Sequence, residues 1–211
     1  MTRVFWRQTA RPLLLLGLGC LLLAGCRTTP PPHHSPTPGR IAPAATDLRF
    51  LEHLASVLDA DFVPGNQVTE LVNGEQFLPA MLDAIRGAQR EVCLESYIFW
   101  SDATGRRFIN ALSERARAGV PTYLIIDWIG SRYIKGRDLK ALRAAGVRVH
   151  RYHPPSLIRP LRINHRDHRK LLVVDETVAF LGGAGVADLW DGNGNHQHHW
   201  RDSFYRVEGP V

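Results

Sequence analysis

The chain has 211 residues, 45% of them hydrophobic, with a formal net charge of +6 and three cysteines. That length and apolar content suffice to bury one sizeable core, and the cysteine usage excludes a disulfide framework. The positive excess suits an anionic substrate or membrane surface without choosing between lipid and nucleic acid.

Arg3, Arg7 and Arg11 form a basic start with no acidic residue, and Pro12 to Leu23 is an apolar run too short for a confident membrane span. Leu23-Ala24-Gly25-Cys26 then reads as a lipobox. The segment resembles bacterial lipoprotein signals. That resemblance implies cleavage before Cys26, diacylation of its sulfur, and export to a membrane facing the periplasm. Arg27 in place of aspartate after the cysteine leans towards the outer membrane, and an uncleaved signal anchor stays open as the alternative. Residues 1–25 are then a signal peptide, 26–46 a lipidated Cys26 with a tether, and 47–211 the folded domain. Without the three arginines the net charge falls to about +3. The tether, rich in proline and threonine, spans at most about 60 Å at roughly 3.1 Å per residue. Cys93 remains, in the apolar run from Val92, as a buried free thiol.

In the folded part, Asp47 can cap a helix to about Leu58, with Leu48, Leu51, Leu54 and Leu58 on one face. Pro64-Gly65-Asn66 is a turn, Val68 to Val72 a short strand, and Asn73-Gly74 another turn. Gln76 to Ala88 reads as helix despite Pro79 near its first turn. Val92 to Trp100 is a strand, Asp102 to Ala118 a helix ended by Gly119, and Pro121 to Asp127 a strand. Ile134 to Ala145 is a helix ended by Gly146, and Val147 to Tyr152 a strand. The alternation predicts an α/β fold with a largely buried sheet.

The chemistry gathers at His168-Arg169-Lys170-Leu171-Leu172-Val173-Val174-Asp175. Leu171 to Val174 reads as a buried strand, Asp175-Glu176 as a tight turn, and Val178 to Leu181 as the returning strand before Gly182-Gly183. Side chains alternate along a strand, so His168 and Lys170 point the same way. An imidazole beside an ammonium suits a phosphate: the neutral ring can attack phosphorus while lysine neutralises the non-bridging oxygens. Asp175 can orient a histidine through its other ring nitrogen, including one from a facing subunit. Arg162, His165, Arg166 and Arg169 make the approach basic, either for headgroup phosphates or as a solvated loop. Glu95 and Asp127, in or at the end of strands, either contact this centre or are satisfied structural carboxylates. His196, His198 and His199 invite a zinc reading, but the glycines and asparagine around them imply a loop without fixed ligand geometry.

His168, Lys170 and Asp175 match the HKD motif of the phospholipase D superfamily. The run from Asn164 to Asp175 resembles the version in bacterial cardiolipin synthases. Glu95 to Trp100, Asp127 to Ser131 and Trp200 to Ser203 are also similar to segments of those enzymes, and the resemblance covers roughly Asn66 to the C-terminus. It implies a phospholipase D-like α-β-α sandwich half with a mixed sheet. It also implies a phosphohistidine formed by one HKD histidine, lysines holding the phosphate, a proton from a second HKD histidine, and no metal or other cofactor. Where the family continues Gly-Gly-x-Asn, this chain reads Gly182-Gly183-Ala184-Gly185, so one phosphate-binding amide is missing and Gly183 stays a substrate-binding candidate. Phe204 to Val211 is similar to the family's Arg-x-x-Gly-Pro-Ala-Val, after which those proteins continue into a second HKD domain. The second motif then comes either from a missing C-terminal half or from a homodimer mate.

The leading function is a membrane-anchored phosphatidyltransferase acting on phosphatidylglycerol. Water as acceptor would make it a phospholipase D. A dimeric phosphodiesterase acting on nucleic acid is the alternative that the lipid anchor disfavours, and a truncated lipoprotein without turnover is the non-enzymatic one.

Overall fold

The structure is a computed structural model that describes residues 48–154 and 164–210. The signal segment, Cys26, the tether and Arg162 lie outside the described residues. The chain divides into two compact units between Ala60 and Asp61. In the first, helix α1 (Leu48–Leu58) forms over the expected leucine periodicity. It ends where Asp59 turns left-handed, at φ 51°, and the Ala60 amide donates to the Ala55 carbonyl at 3.2 Å.

The described residues of the second unit form seven strands: β1 (Gln67–Val72), β2 (Val92–Ser96), β3 (Thr122–Asp127), β4 (Arg148–Tyr152), β5 (Lys170–Val174), β6 (Val178–Gly182) and β7 (Ser203–Glu208). Their order across the sheet is β1-β7-β6-β5-β2-β3-β4. Strands β2, β3 and β4 run parallel, joined through α3 (Ala103–Arg117) and α4 (Gly136–Ala144), as parallel neighbours require a crossover. The other pairings are antiparallel, so the sheet is mixed, as expected.

One face of the sheet holds the core. Leu94, paired to both Leu124 and Leu172, is buried with them against α2 (Gly74–Gly87), α3 and α4. Helix α2 lays Phe77, Leu78, Met81, Leu82 and Ile85 on that face at helical spacing. Burying each such side chain contributes about 1.5–3 kcal/mol. The opposite face, with Cys93, Glu95, Leu171 and Val173, is half-buried. No helix among the described residues is long and apolar enough to cross a membrane.

The main departures from the sequence reading are the ends of two elements and one added strand. Helix α2 begins at Gly74, so Pro79 falls in its second turn rather than its first. A Cβ at Gly74 would stand 1.7 Å from the Trp190 carbonyl oxygen, so glycine is what lets the helix start against that loop. Strand β2 stops at Ser96, not Trp100, because the following backbone bonds elsewhere. Ser131 Oγ donates to the Tyr97 carbonyl and accepts from the Phe99 amide, each at 3.1 Å. Strand β7 was not anticipated; it pairs with β1 on one side and β6 on the other, joining the first strand to the HKD hairpin. That hairpin turns as expected, with Asp175 and Glu176 both left-handed at φ 55° and 58°.

Candidate active site

His168 and Lys170 sit at the start of β5, where β2 ends alongside. The Tyr97 amide donates to the Arg169 carbonyl at 3.1 Å, and Lys170 lies opposite Ser96. Lys170 Nζ is 2.8 Å from Nδ1 and 3.2 Å from Nε2 of His168, and donates to the His168 carbonyl at 2.6 Å. An ammonium can only donate, so the contact requires a ring nitrogen with a free lone pair. The Tyr97 ring packs on the imidazole with centroids 4.6 Å apart and lies 5.5 Å from Lys170 Nζ. Partial burial pushes the Lys170 pKa below its ordinary value, while the charges of Asp202 and Asp167 pull the other way. A cavity beside the lysine is lined by Phe77, Glu95, Ser96, Gly185 and Phe204.

The segment leading into the motif is anchored by Asp127 at the end of β3. Its buried carboxylate accepts the amides of Ile129 at 2.8 Å and Gly130 at 2.9 Å through Oδ1, and that of Asp167 at 3.1 Å through Oδ2. Arg166 pairs with the same carboxylate at 3.3 Å and donates to the His153 carbonyl at 3.4 Å. Arg166 was expected among the phosphate-binding residues; it is instead tied to Asp127 and locks the approach to β3. Asp127 is thus a structural carboxylate.

Asp175 is held elsewhere in its own chain. It lies at the opposite end of β5, about 17 Å along the strand from Lys170 at the usual rise per residue. Its carboxylate accepts the amides of Arg90 at 2.7 Å and of Gln89 and Glu91 at 2.9 Å, clamping the hairpin turn to the α2–β2 connection. Partial burial pushes its pKa up, but those amides and the Arg90 charge outweigh this and hold it below the ordinary value. It does not reach His168 of its own chain.

Glu95 pairs across to Leu171, on the strand face away from Lys170, and meets Arg169 at 3.5 Å. Burial pushes its pKa up first, then a hydrogen bond and charge from Asp167, against Arg169. Asp167 Oδ2 is buried with no donor aimed at it. Glu95 touches the ring-and-lysine centre through the cavity wall alone.

Gly183 has a steric role. A Cβ there would lie 2.5 Å from Asp202 Oδ1, so glycine admits that carboxylate beside Lys170. Asp202, within the Trp200–Ser203 run, carries no local sequence signal that marks it as a site residue. It is brought in by Asn73, whose amide N–H donates to the Asp202 carbonyl at 2.8 Å and whose side chain donates to the Asn193 carbonyl at 2.9 Å. Gly185, where the family pattern has asparagine, has no room for one: a Cβ would be 2.7 Å from Ile98 Cβ. The rings of His198 and His199 each lie 5.3 Å from that of His196.

An imidazole with an ammonium beside it can bind an anionic phosphorus centre and present it with a nucleophile. Residues 81–190 match the family model described as cardiolipin synthase, PLD-like domain. Among curated relatives, cardiolipin synthase A of Pseudomonas fluorescens Pf-5 is 38% identical over 147 residues, covering 69% of this chain and 31% of that protein. The cardiolipin synthase of Clostridium perfringens strain 13 is 34% identical over 152 residues, covering 72% and 32% respectively. The chain therefore spans about a third of the length of the curated relatives it matches. NucT from Helicobacter pylori shares the fold, with a TM-score of 0.53 at 15% identity, over 69% of this chain and 87% of that one. On these matches and the motif they enclose, the chain belongs to the PLD-like domain family of the cardiolipin synthases.

Proposed function

We propose that this domain transfers a phosphatidyl group through a phosphohistidine at His168. The observation that carries the reading is Lys170 Nζ within 3.2 Å of both His168 ring nitrogens, at the open end of β5. In the first step a ring nitrogen attacks phosphorus and the P–O bond to the leaving alcohol breaks. That alcohol's oxygen takes a proton from a general acid. In the second, an acceptor hydroxyl attacks phosphorus, passes its proton to the conjugate base left by that general acid, and breaks the P–N bond to free the ring nitrogen. Lys170 holds the charge that develops on the non-bridging oxygens. The phosphatidyl donor and glycerol-hydroxyl acceptor fit the names of the curated relatives, and phosphatidylglycerol supplies both.

The leaving oxygen departs on the side opposite His168, so the proton must come from a second group. A second HKD motif, from a mate across a two-fold axis or from another domain, supplies it in this reading. Export and anchoring through a lipidated Cys26 at a periplasm-facing membrane would place the site at its substrate. Incubating the full chain with labelled phosphatidylglycerol, with thin-layer separation of the products, tests the reading. Cardiolipin and glycerol are expected; phosphatidic acid alone would make water the acceptor. Nicking of plasmid DNA with no lipid turnover would overturn it in favour of a nuclease.

A further inference from the structure

The stretch that runs from the β3–α4 connection into the first turns of α4 is unexplained by catalysis. From Arg132 to Lys140 it carries Arg132, Lys135, Arg137 and Lys140, all exposed, against one acid, Asp138, which pairs with Arg137 at 3.5 Å. A basic run of this kind is ordinarily a solvated face. Here it also holds a large aromatic outward. Tyr133 is 54% exposed, with the Arg132 guanidinium 4.5 Å from its ring centroid and the Trp100 ring edge-on at 4.9 Å.

The loop is braced from beneath. Ile134 is buried, the Lys135 amide donates to Ser101 Oγ at 2.8 Å, and Trp100 Nε1 donates to the Gly130 carbonyl at 3.0 Å. It is also continuous with the catalytic centre. Ser131 Oγ holds the Tyr97 carbonyl at 3.1 Å, and Tyr97 packs on His168. A rigid aromatic with cations around it, linked through Ser131 and Tyr97 to the nucleophile, has the composition of residues that settle at the headgroup level of a bilayer.

We infer that Arg132, Tyr133 and Lys135, braced by Trp100, form a docking surface for an anionic lipid bilayer that sets the His168 centre at headgroup depth. The inference rests on the phosphatidyltransferase reading for its purpose, but the surface can be tested without turnover. A nucleic-acid strand could also stack on Tyr133. The compact cluster around one aromatic, rather than a stripe of cations tracking a backbone, favours the bilayer.

The test is co-sedimentation of the full chain with vesicles of phosphatidylcholine and of phosphatidylcholine with phosphatidylglycerol. Any N-terminal anchor contributes to both, so the readout is the gain on adding the anionic lipid. The double substitution Arg132→Glu with Tyr133→Ser is expected to reduce that gain about tenfold or more, since each cation near an anionic surface contributes appreciably. A matching melting temperature shows that the variant is folded; should it unfold, Lys135→Glu alone is read in its place. His168→Ala is expected to keep the gain while losing turnover, which separates this surface from the chemistry. An unchanged gain in the folded variant overturns the inference. So does a wild-type chain that gains nothing from phosphatidylglycerol but binds a single-stranded oligonucleotide through Arg132 and Tyr133.

Discussion

Lys170 Nζ stands 2.8 Å from Nδ1 and 3.2 Å from Nε2 of His168, so one cation covers both nitrogens of the proposed nucleophile. In the proposed reaction a phosphate entering the site would replace the imidazole as the lysine's partner and leave the ring free to attack. Lys170→Ala should therefore lower kcat by about a hundredfold or more, the cost of removing a charge aimed at the developing oxyanion. His168→Ala should abolish transfer. Steady-state assays against a soluble phosphodiester check both.

Burial holds the Lys170 pKa below its ordinary value. Activity should accordingly fall as pH rises through that lowered value, because the ammonium is lost there, earlier than for a free lysine. Asp202→Asn removes a charge that stabilises the ammonium, so the alkaline limb should move to still lower pH. Lys170→Arg should push the limb out of range while losing part of the rate, since guanidinium keeps its proton. The pH–rate profiles of the three proteins decide this, and coincident alkaline limbs would contradict it.

The contacts of Asp175 within its own chain predict a contribution to stability. Asp175→Asn weakens three charge-assisted amide contacts, and the loss should be about 1–3 kcal/mol, limited by the partial exposure of the carboxylate. Its folded pKa is depressed, so its contribution is present above the unfolded value and is lost as pH falls through the folded one. Denaturant melts should show the wild-type advantage at neutral pH shrinking in acid. The folded remainder of the variant should turn over normally.

Glu95 has the opposite sign. Its folded pKa is raised by burial and by Asp167, so stability declines as pH rises from the unfolded towards the folded value. Glu95→Gln removes that penalty while keeping a hydrogen-bond donor for Asp167. It should melt at or above the wild-type temperature at neutral pH. A lower melting temperature would mean that the weak Arg169 contact matters more than the carboxyl pair.

The elements with strong periodicity were legible in the sequence: the leucines of α1, the apolar face of α2, and the β5–β6 hairpin with its acidic turn. So was the pairing of His168 with Lys170, because strand alternation alone puts them together. What the sequence hid was tertiary. The separation of Asp175 from His168 follows from the strand residues between them, but no local pattern shows that its carboxylate is taken by the amides of Gln89, Arg90 and Glu91, more than 80 residues away. Arg166 looked available because its partner, Asp127, is 39 residues away. Asp202 depends on Asn73, which is 129 residues distant and holds the loop through backbone contacts that no local pattern encodes. The Val92–Trp100 run was read as all strand because its apolar residues outvoted the Ser96 and Ser131 hydroxyls that redirect its backbone.

The most direct test of the central claim is to trap the intermediate on His168. A p-nitrophenyl phosphodiester has a leaving group that needs no protonation, so the chain can be labelled even without a second motif. After rapid denaturation in alkali, peptide mass spectrometry should find the phosphoryl adduct on the peptide carrying His168, absent from His168→Ala and diminished in Lys170→Ala. Release of p-nitrophenol at the wild-type rate by His168→Ala, or an adduct on any other residue, would contradict the account.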